Sequence, residues 1–259
     1  MSASVQAILE VRNLSRHFGG LVAVNDLSFA IAPSAIHGLI GPNGAGKTTT
    51  FNVISGFYAP TSGRVIYLGR DIAGMGTSAL AALGLVRTFQ GTTLFKELTV
   101  LDNVRVGCHG SAHAGFVSRI LGTDRASEAG ATARAEALLE FFGLHDLRHE
   151  MAGNLPHGHA RTLGMAVAFA ADPKLILLDE PFTGMNPEET RVMMGLIRAI
   201  RDRGVTIMLV EHDMQAVMGL CDIITVMNFG SLLTQGTPEE VRTSPAVIEA
   251  YLGRPEHAA

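Results

Sequence analysis

Tryptophan is absent from the 259 residues, and the chain holds only two cysteines and three lysines. Cys108 and Cys221 stand alone, which excludes a disulfide framework and fits a reducing compartment. Charged residues make up 17% of the chain, below the roughly 25% usual in soluble domains. Even so, no apolar run approaches the ~18 residues of a membrane-spanning helix. The longest, Leu163 to Ala171, has nine residues with Gly164 counted. A basic stretch leading into an apolar one is missing at the N-terminus, which argues against a cleaved secretory leader. Lysine and arginine do not cluster and the net charge is −4, which disfavours a nucleic-acid-binding surface. What is present is a chain 47% hydrophobic, long enough for a well-buried core in one large domain or one domain with an insertion. A mean hydropathy of +0.27 without a spanning segment points to a protein that docks on a partner.

The 29 glycines fall at punctuation points rather than in a low-complexity linker. Residues 8–18, 26–32 and Ala35 to Ile40 read as strands, and Lys47 to Phe57 turns helical. Arg64–Leu68 and Leu85–Phe89 read as strands around a short helix at Ser78–Leu83. From about Thr92 to Asp172 almost nothing reads as strand. A helix over about Arg125 to Phe142 there puts Ala131, Ala135, Leu138 and Phe142 on one face. After Pro173 strands at Leu175–Leu178, Val205–Val210 and Ile223–Met227 alternate with helices at Pro187–Arg203 and Met214–Leu220. Repeated strand–helix units predict a mainly parallel sheet with helices on both faces. The expected division is an α/β core of residues 1–91 and 173–240, a helical subdomain at 92–172 and a helical tail at 241–259.

Gly41-Pro42-Asn43-Gly44-Ala45-Gly46-Lys47-Thr48 matches the P-loop (Walker A) pattern in full, between a predicted strand and a predicted helix. With three lysines in the whole chain, a composition-matched sequence gives only ~0.005 chance matches. Glycines there let backbone N–H groups close around phosphate oxygens, and the following helix adds its positive end. Lys47 is expected to reach the β and γ phosphates, and Thr48 to ligate Mg²⁺. Leu175-Ile176-Leu177-Leu178-Asp179-Glu180 is an apolar strand ending in two carboxylates. Strand carboxyl ends face the ligand crevice in such sheets, so Asp179 is expected in the Mg²⁺ shell and Glu180 as acceptor of a proton from the attacking water. Three histidine groupings (His157 with His159, His145 with His149, and His109 and His113 beside Cys108) lack the four-ligand spacing of a transition-metal site.

The motif order resembles that of the ATP-binding subunit of ABC transporters over about residues 8–253. It runs P-loop, Gln90 after a strand, helical insert, a glycine-containing helix start at Leu155–His159, Asp179-Glu180, then His212. Several phrases resemble the ATPases of branched-chain amino acid importers in particular: Val86-Arg87-Thr88-Phe89-Gln90, Leu94-Phe95-Lys96-Glu97-Leu98-Thr99-Val100, Gly184-Met185-Asn186-Pro187-Glu188-Glu189-Thr190 and Ala250-Tyr251-Leu252-Gly253. The implied fold is a P-loop NTPase core, a mainly parallel sheet with an antiparallel β edge, carrying an inserted helical subdomain.

The resemblance also implies roles. Phe18 would stack on adenine, and Thr49 would join Gly41 through Thr48 in holding ATP. Gln90 would meet Mg²⁺ or the attacking water, and His212 would hydrogen-bond the γ-phosphate. Gly158 would face a γ-phosphate held by a second ATP-binding subunit, sister or self, in a head-to-tail dimer. Asn186 stands where many relatives carry Asp, and is also a suitable N-cap with Pro187 behind it. In the segment Leu155-Pro156-His157-Gly158-His159, His159 replaces the usual Gln, while Gly164 and Val167 stand where Glu and Arg are typical. These departures bear on catalytic rate and partner contacts more than on nucleotide binding. Implied partners are two transmembrane permease subunits and, indirectly, an extracytoplasmic solute-binding protein. The implied place is peripheral, on the cytoplasmic face of the bacterial inner membrane. A urea importer's ATPase is the nearest alternative, because Leu-x-His-Gly resembles that group as well. A lipopolysaccharide-export ATPase shares the Tyr-Leu-Gly ending but fits Gly-Met-Asn-Pro less well.

Overall fold

Strands β3 (Ile36–Ile40), β7 (Leu175–Asp179) and β8 (Thr206–Val210) are buried at every position, the signature of strands covered on both faces. The computed structural model describes residues 6–88, 94–110 and 125–252. These three strands form the middle of a six-stranded sheet with β6 (Leu85–Arg87), β9 (Ile223–Asn228) and β10 (Ser231–Gly236), in the order β10-β9-β3-β8-β7-β6. All neighbours are parallel except β10, which turns back antiparallel on β9. A second, wholly antiparallel sheet has the order β2-β1-β4-β5, built from β1 (Leu9–Phe18), β2 (Leu21–Ile31), β4 (Ser62–Tyr67) and β5 (Arg70–Asp71).

The two-residue period of a strand sorts side chains between two cores. Leu175, Leu177, Met208 and Val210 join the cluster made by the antiparallel sheet and α1 (Lys47–Ile54), with Leu9, Leu27, Phe51 and Ile54. Ile176, Leu178, Ile207 and Leu209 face the other way. They meet α6 (Pro187–Asp202) and α7 (Met214–Leu220) in a cluster that continues into α3 (Val100–Gly110), α4 (Arg125–Phe141) and α5 (His157–Ala170). Helices α3 and α5 approach closely at Gly107, where a Cβ would fall 2.6 Å from the Val167 carbonyl oxygen. Short helices complete the chain: α2 (Thr77–Ala82) before β6, then α8 (Pro238–Thr243) and α9 (Pro245–Leu252) after β10.

Local signals explain several boundaries. Asn186 caps α6 in a reciprocal box with Glu189, Pro187 follows, and two glutamates occupy the first turn. The expected strand at 26–32 begins earlier, at Leu21, because exposed Leu21 and Val22 pair with Phe18 and His17 across a tight turn. Strand β10 was not anticipated: Ser231–Gly236 is half-exposed and lacks an alternating apolar pattern, and only its pairing with β9 makes it a strand. Among the described residues, no helix is long and apolar enough to cross a membrane.

Candidate nucleotide-binding site

The loop between β3 and α1 is shaped by glycine. Gly46 has φ +96°, and a Cβ there would lie 2.4 Å from the Ala23 carbonyl oxygen of β2. Gly44 has φ +80° with nothing within 4 Å of its missing side chain, so that part of the loop is open. Helix α1 begins after Gly46 without a side-chain cap, which leaves its first-turn N–H groups available to an anion. The Lys47 ammonium donates to the carbonyls of Gly41 (2.6 Å) and Pro42 (3.0 Å) and so lies across the loop. Burial pulls its pKa down from the ordinary lysine value, opposed by the negative charge of Glu180. Thr48 is exposed and Thr49 half-buried; Gly41 and Ala45 are buried, while Asn43 and Gly44 are exposed. At the loop's base, burial pushes the Tyr251 phenol of α9 up to about 12, opposed by a hydrogen bond with the Gly41 backbone.

The two carboxylates at the end of β7 have different settings. Asp179 is buried, and its Oδ2 accepts from Arg87 Nη2 at 2.7 Å. Glu180 is half-buried with φ +47°, an uncommon backbone for a residue with a side chain. Its N–H donates to the Val210 carbonyl (2.9 Å), its carbonyl accepts from Arg161 Nη1 (3.1 Å) and Thr183 N–H (3.3 Å), and Oε2 accepts from Thr183 Oγ1 (3.2 Å). His212 follows β8 with its side chain exposed, Nδ1 lying 3.9 Å from Glu180 Oε1. Lys47, Asp179, Glu180 and His212 thus converge at the carboxyl ends of β3, β7 and β8. Donor-bearing glycine turn, free helix start, threonine hydroxyl and adjacent carboxylates fit a nucleotide triphosphate with Mg²⁺.

Other expected positions lie at the margins. Phe18 ends β1, 38% exposed, with the Arg16 guanidinium 4.5 Å from its ring centre and the Tyr58 ring centre 5.3 Å away in a T-shaped pair. Gly158 lies in the first turn of α5, buried, where a Cβ would meet Glu189 Oε1 at 2.6 Å. The glycine therefore packs on the first turn of α6 in its own chain. His157, exposed beside it, has Nε2 3.3 Å from both the Thr183 carbonyl and Arg161 Nε. Gln90 lies outside the described residues.

Sequence reading assigned no role to three residues that tie this site together. Arg87 reaches Asp179, Arg161 reaches the Glu180 carbonyl, and Glu211 joins two loops. Glu211 is 1% exposed; its Oε1 accepts from Phe182 N–H (2.9 Å) and its Oε2 from His212 N–H (3.0 Å). The available signal was a charge at the end of an otherwise apolar strand, as in Leu209-Val210-Glu211.

Comparison with known proteins identifies the family. The ABC transporter family model matches residues 24–183, and the model described as branched-chain amino acid ATP-binding cassette transporter matches residues 231–257. The high-affinity branched-chain amino acid transport ATP-binding protein LivG of Escherichia coli K12 is 43% identical over 251 residues, 96% of this chain and 98% of that protein. The corresponding BraF of Pseudomonas aeruginosa is 42% identical, covering 95% and 98%. A crystal structure of a nucleotide-free ATP-binding cassette from an ABC transporter superposes with a TM-score of 0.83 at 30% identity, covering 95% of this chain and 99% of that one. The chain belongs to the ATP-binding subunits of ABC transporters, of the branched-chain amino acid importer type. That fold binds and hydrolyses ATP.

Proposed function

We propose that this chain powers an importer for branched-chain or related amino acids by hydrolysing ATP at the carboxyl ends of β3, β7 and β8. The observation that carries the site reading is the convergence of Lys47, Asp179, Glu180 and His212 around an open glycine turn and an uncapped helix start. The likeness to LivG and BraF along 95–96% of the chain supports the solute class. Residues 41–49 hold the phosphates, Phe18 stacks on adenine, and Lys47 leaves the Gly41 and Pro42 carbonyls for the β and γ phosphates. Thr48 and Asp179, with Gln90, would hold Mg²⁺, which would supply positive charge against the phosphate oxygens. Glu180 accepts the proton as the water oxygen bonds to the γ-phosphorus and the bond to the bridging oxygen breaks, releasing ADP and phosphate. His212 hydrogen-bonds the γ-phosphate.

In this reading residues 1–91 and 173–240 bind nucleotide, and 92–172 carry the Gly158 helix that completes the site of a second ATP-binding subunit, with 241–259 as a tail. ATP closes the head-to-tail pair and hydrolysis reopens it. Two permease subunits in the bacterial inner membrane follow that motion from its cytoplasmic side. A solute-binding protein delivers the amino acid. The test is reconstitution of the chain with its co-purifying permease subunits and solute-binding protein in vesicles. Leucine, isoleucine or valine is expected to stimulate ATP hydrolysis. Stimulation by urea with none by these amino acids overturns the solute assignment.

A further inference from the structure

Asp179 is held by a side chain that the P-loop helix also grips. Arg87, the last residue of β6, donates from Nη2 to Asp179 Oδ2 at 2.7 Å, and from Nη1 to Asn52 Oδ1 at 2.6 Å and Ser55 Oγ at 3.0 Å. Asn52 is in α1 and Ser55 caps its C-terminus. The guanidinium also lies 5.0 Å from the ring centre of Phe51 and 5.2 Å from that of Phe57. Arg87 and Asp179 side chains are only 11% and 10% exposed. One planar cation thus joins three elements: the strand leading to Gln90, the helix that starts at Lys47, and the strand ending in the two carboxylates.

A buried carboxylate with one oxygen fixed has lost most of its freedom to rotate. Arginine suits this task, because its fork donates in two directions at once, and lysine cannot reproduce that geometry. We propose that Arg87 is a positioning residue for the magnesium carboxylate. By occupying Oδ2 from the side of α1, it presents Oδ1 toward the metal's hydration shell and fixes the distance between Asp179 and the P-loop helix. The inference rests on the reading that Asp179 serves Mg²⁺.

The experiment measures the affinity of the full chain for a non-hydrolysable ATP analogue, with Mg²⁺ and again with excess EDTA, for Arg87→Ala, Arg87→Lys, Asn52→Ala and Asp179→Asn. Arg87→Ala is expected to weaken the magnesium-dependent affinity by roughly 10–100-fold, the usual cost of losing a group that orients a metal ligand. Affinity in EDTA is expected to be unchanged. Arg87→Lys recovers part of the loss, and Arg87→Ala added to Asp179→Asn costs little more than Asp179→Asn alone. Should Arg87→Ala fail to fold, Asn52→Ala, which loosens the far side of the guanidinium, is expected to show a smaller loss of the same kind. Equal losses with and without Mg²⁺, no loss, or a gain in magnesium affinity would overturn the inference while leaving the role of Asp179 intact. An Asp179→Asn variant with undiminished magnesium dependence would instead overturn the reading of Asp179 itself.

Discussion

Helices α1 and α5 both start without a side-chain cap, α1 behind Gly46 and α5 behind Pro156 with Gly158 in its first turn, yet those starts meet different surroundings. At α1, Gly44 opens onto empty space and Lys47 folds back on the loop carbonyls. At α5, Gly158 is buried against the carboxylate of Glu189, while His157 and Arg161 lean on the turn that follows β7. The first leaves open space at the glycine turn before the helix; the second is braced against the carboxylate-bearing loop of its own chain. Helix dipoles are equal in kind at the two places. What differs is what lies beside the glycine: open space at Gly44, the Glu189 side chain at Gly158.

Glu180 is where the two starts meet, since its charge acts on Lys47 and its carbonyl is gripped by Arg161. The largest effect is expected from Glu180→Gln: hydrolysis slower by about 10²–10⁴-fold, with ATP binding kept. Steady-state turnover beside equilibrium binding checks it, and an undiminished turnover places the base elsewhere. Lys47→Ala is expected next, lowering turnover by at least roughly 10²-fold and also weakening ATP affinity, as loss of a preorganised cation does. Retention of both would break the α1 half of the comparison.

Gly158→Asp sharpens the α5 half. The new carboxylate would meet that of Glu189 at short range, so the isolated chain is expected to lose roughly 1–3 kcal/mol of stability while ATP affinity stays near wild type. Adding Glu189→Ala is expected to restore part of that stability, since it also removes one half of the α6 capping box, but not hydrolysis in the assembled transporter. If hydrolysis returns as well, packing within the chain explains the whole effect and the glycine has no role across the dimer.

The smallest effect lies behind α1. His37 of β3 is buried, its Nε2 2.8 Å from Thr225 Oγ1, with Phe29 stacked on its ring. Burial pulls its pKa from 6.5 to about 4. The unfolded chain therefore binds the extra proton between those values, so stability is full above pH 6.5 and falls as pH drops toward about 4. A loss of about 1 kcal/mol between pH 7 and 5.5, missing from His37→Asn, is the expected outcome of denaturant titrations.

Much of the fold was written in local pattern. The largely apolar runs at 36–40, 175–178 and 205–210 announced buried parallel strands, and Asn186-Pro187-Glu188-Glu189 announced a helix start. Strand β10 was illegible because its two leucines are adjacent rather than alternating, the rest is polar or glycine, and its pairing with β9 alone defines it. At the site, the P-loop was legible because its chemistry is contiguous in sequence. Arg87 and Glu211 were not: their partners are 92 and 29 residues away, and no spacing rule joins them. Gly158 shows a further gap, since the sequence marks a helix start but not that Glu189 would pack against its glycine.

The place of β3 in the sheet has a consequence for how the protein is made. Both its neighbours, β8 and β9, come from residues 206–228, whereas the antiparallel sheet is complete by Asp71. A growing chain that has passed Asp71 can assemble that sheet, but the strand carrying the phosphate loop still has no edge to pair with. Pairings this distant form late. The ribosome therefore releases most of the polypeptide before the phosphate loop has a wall on either side, and the capacity to hold ATP is expected to be among the last things a nascent chain acquires.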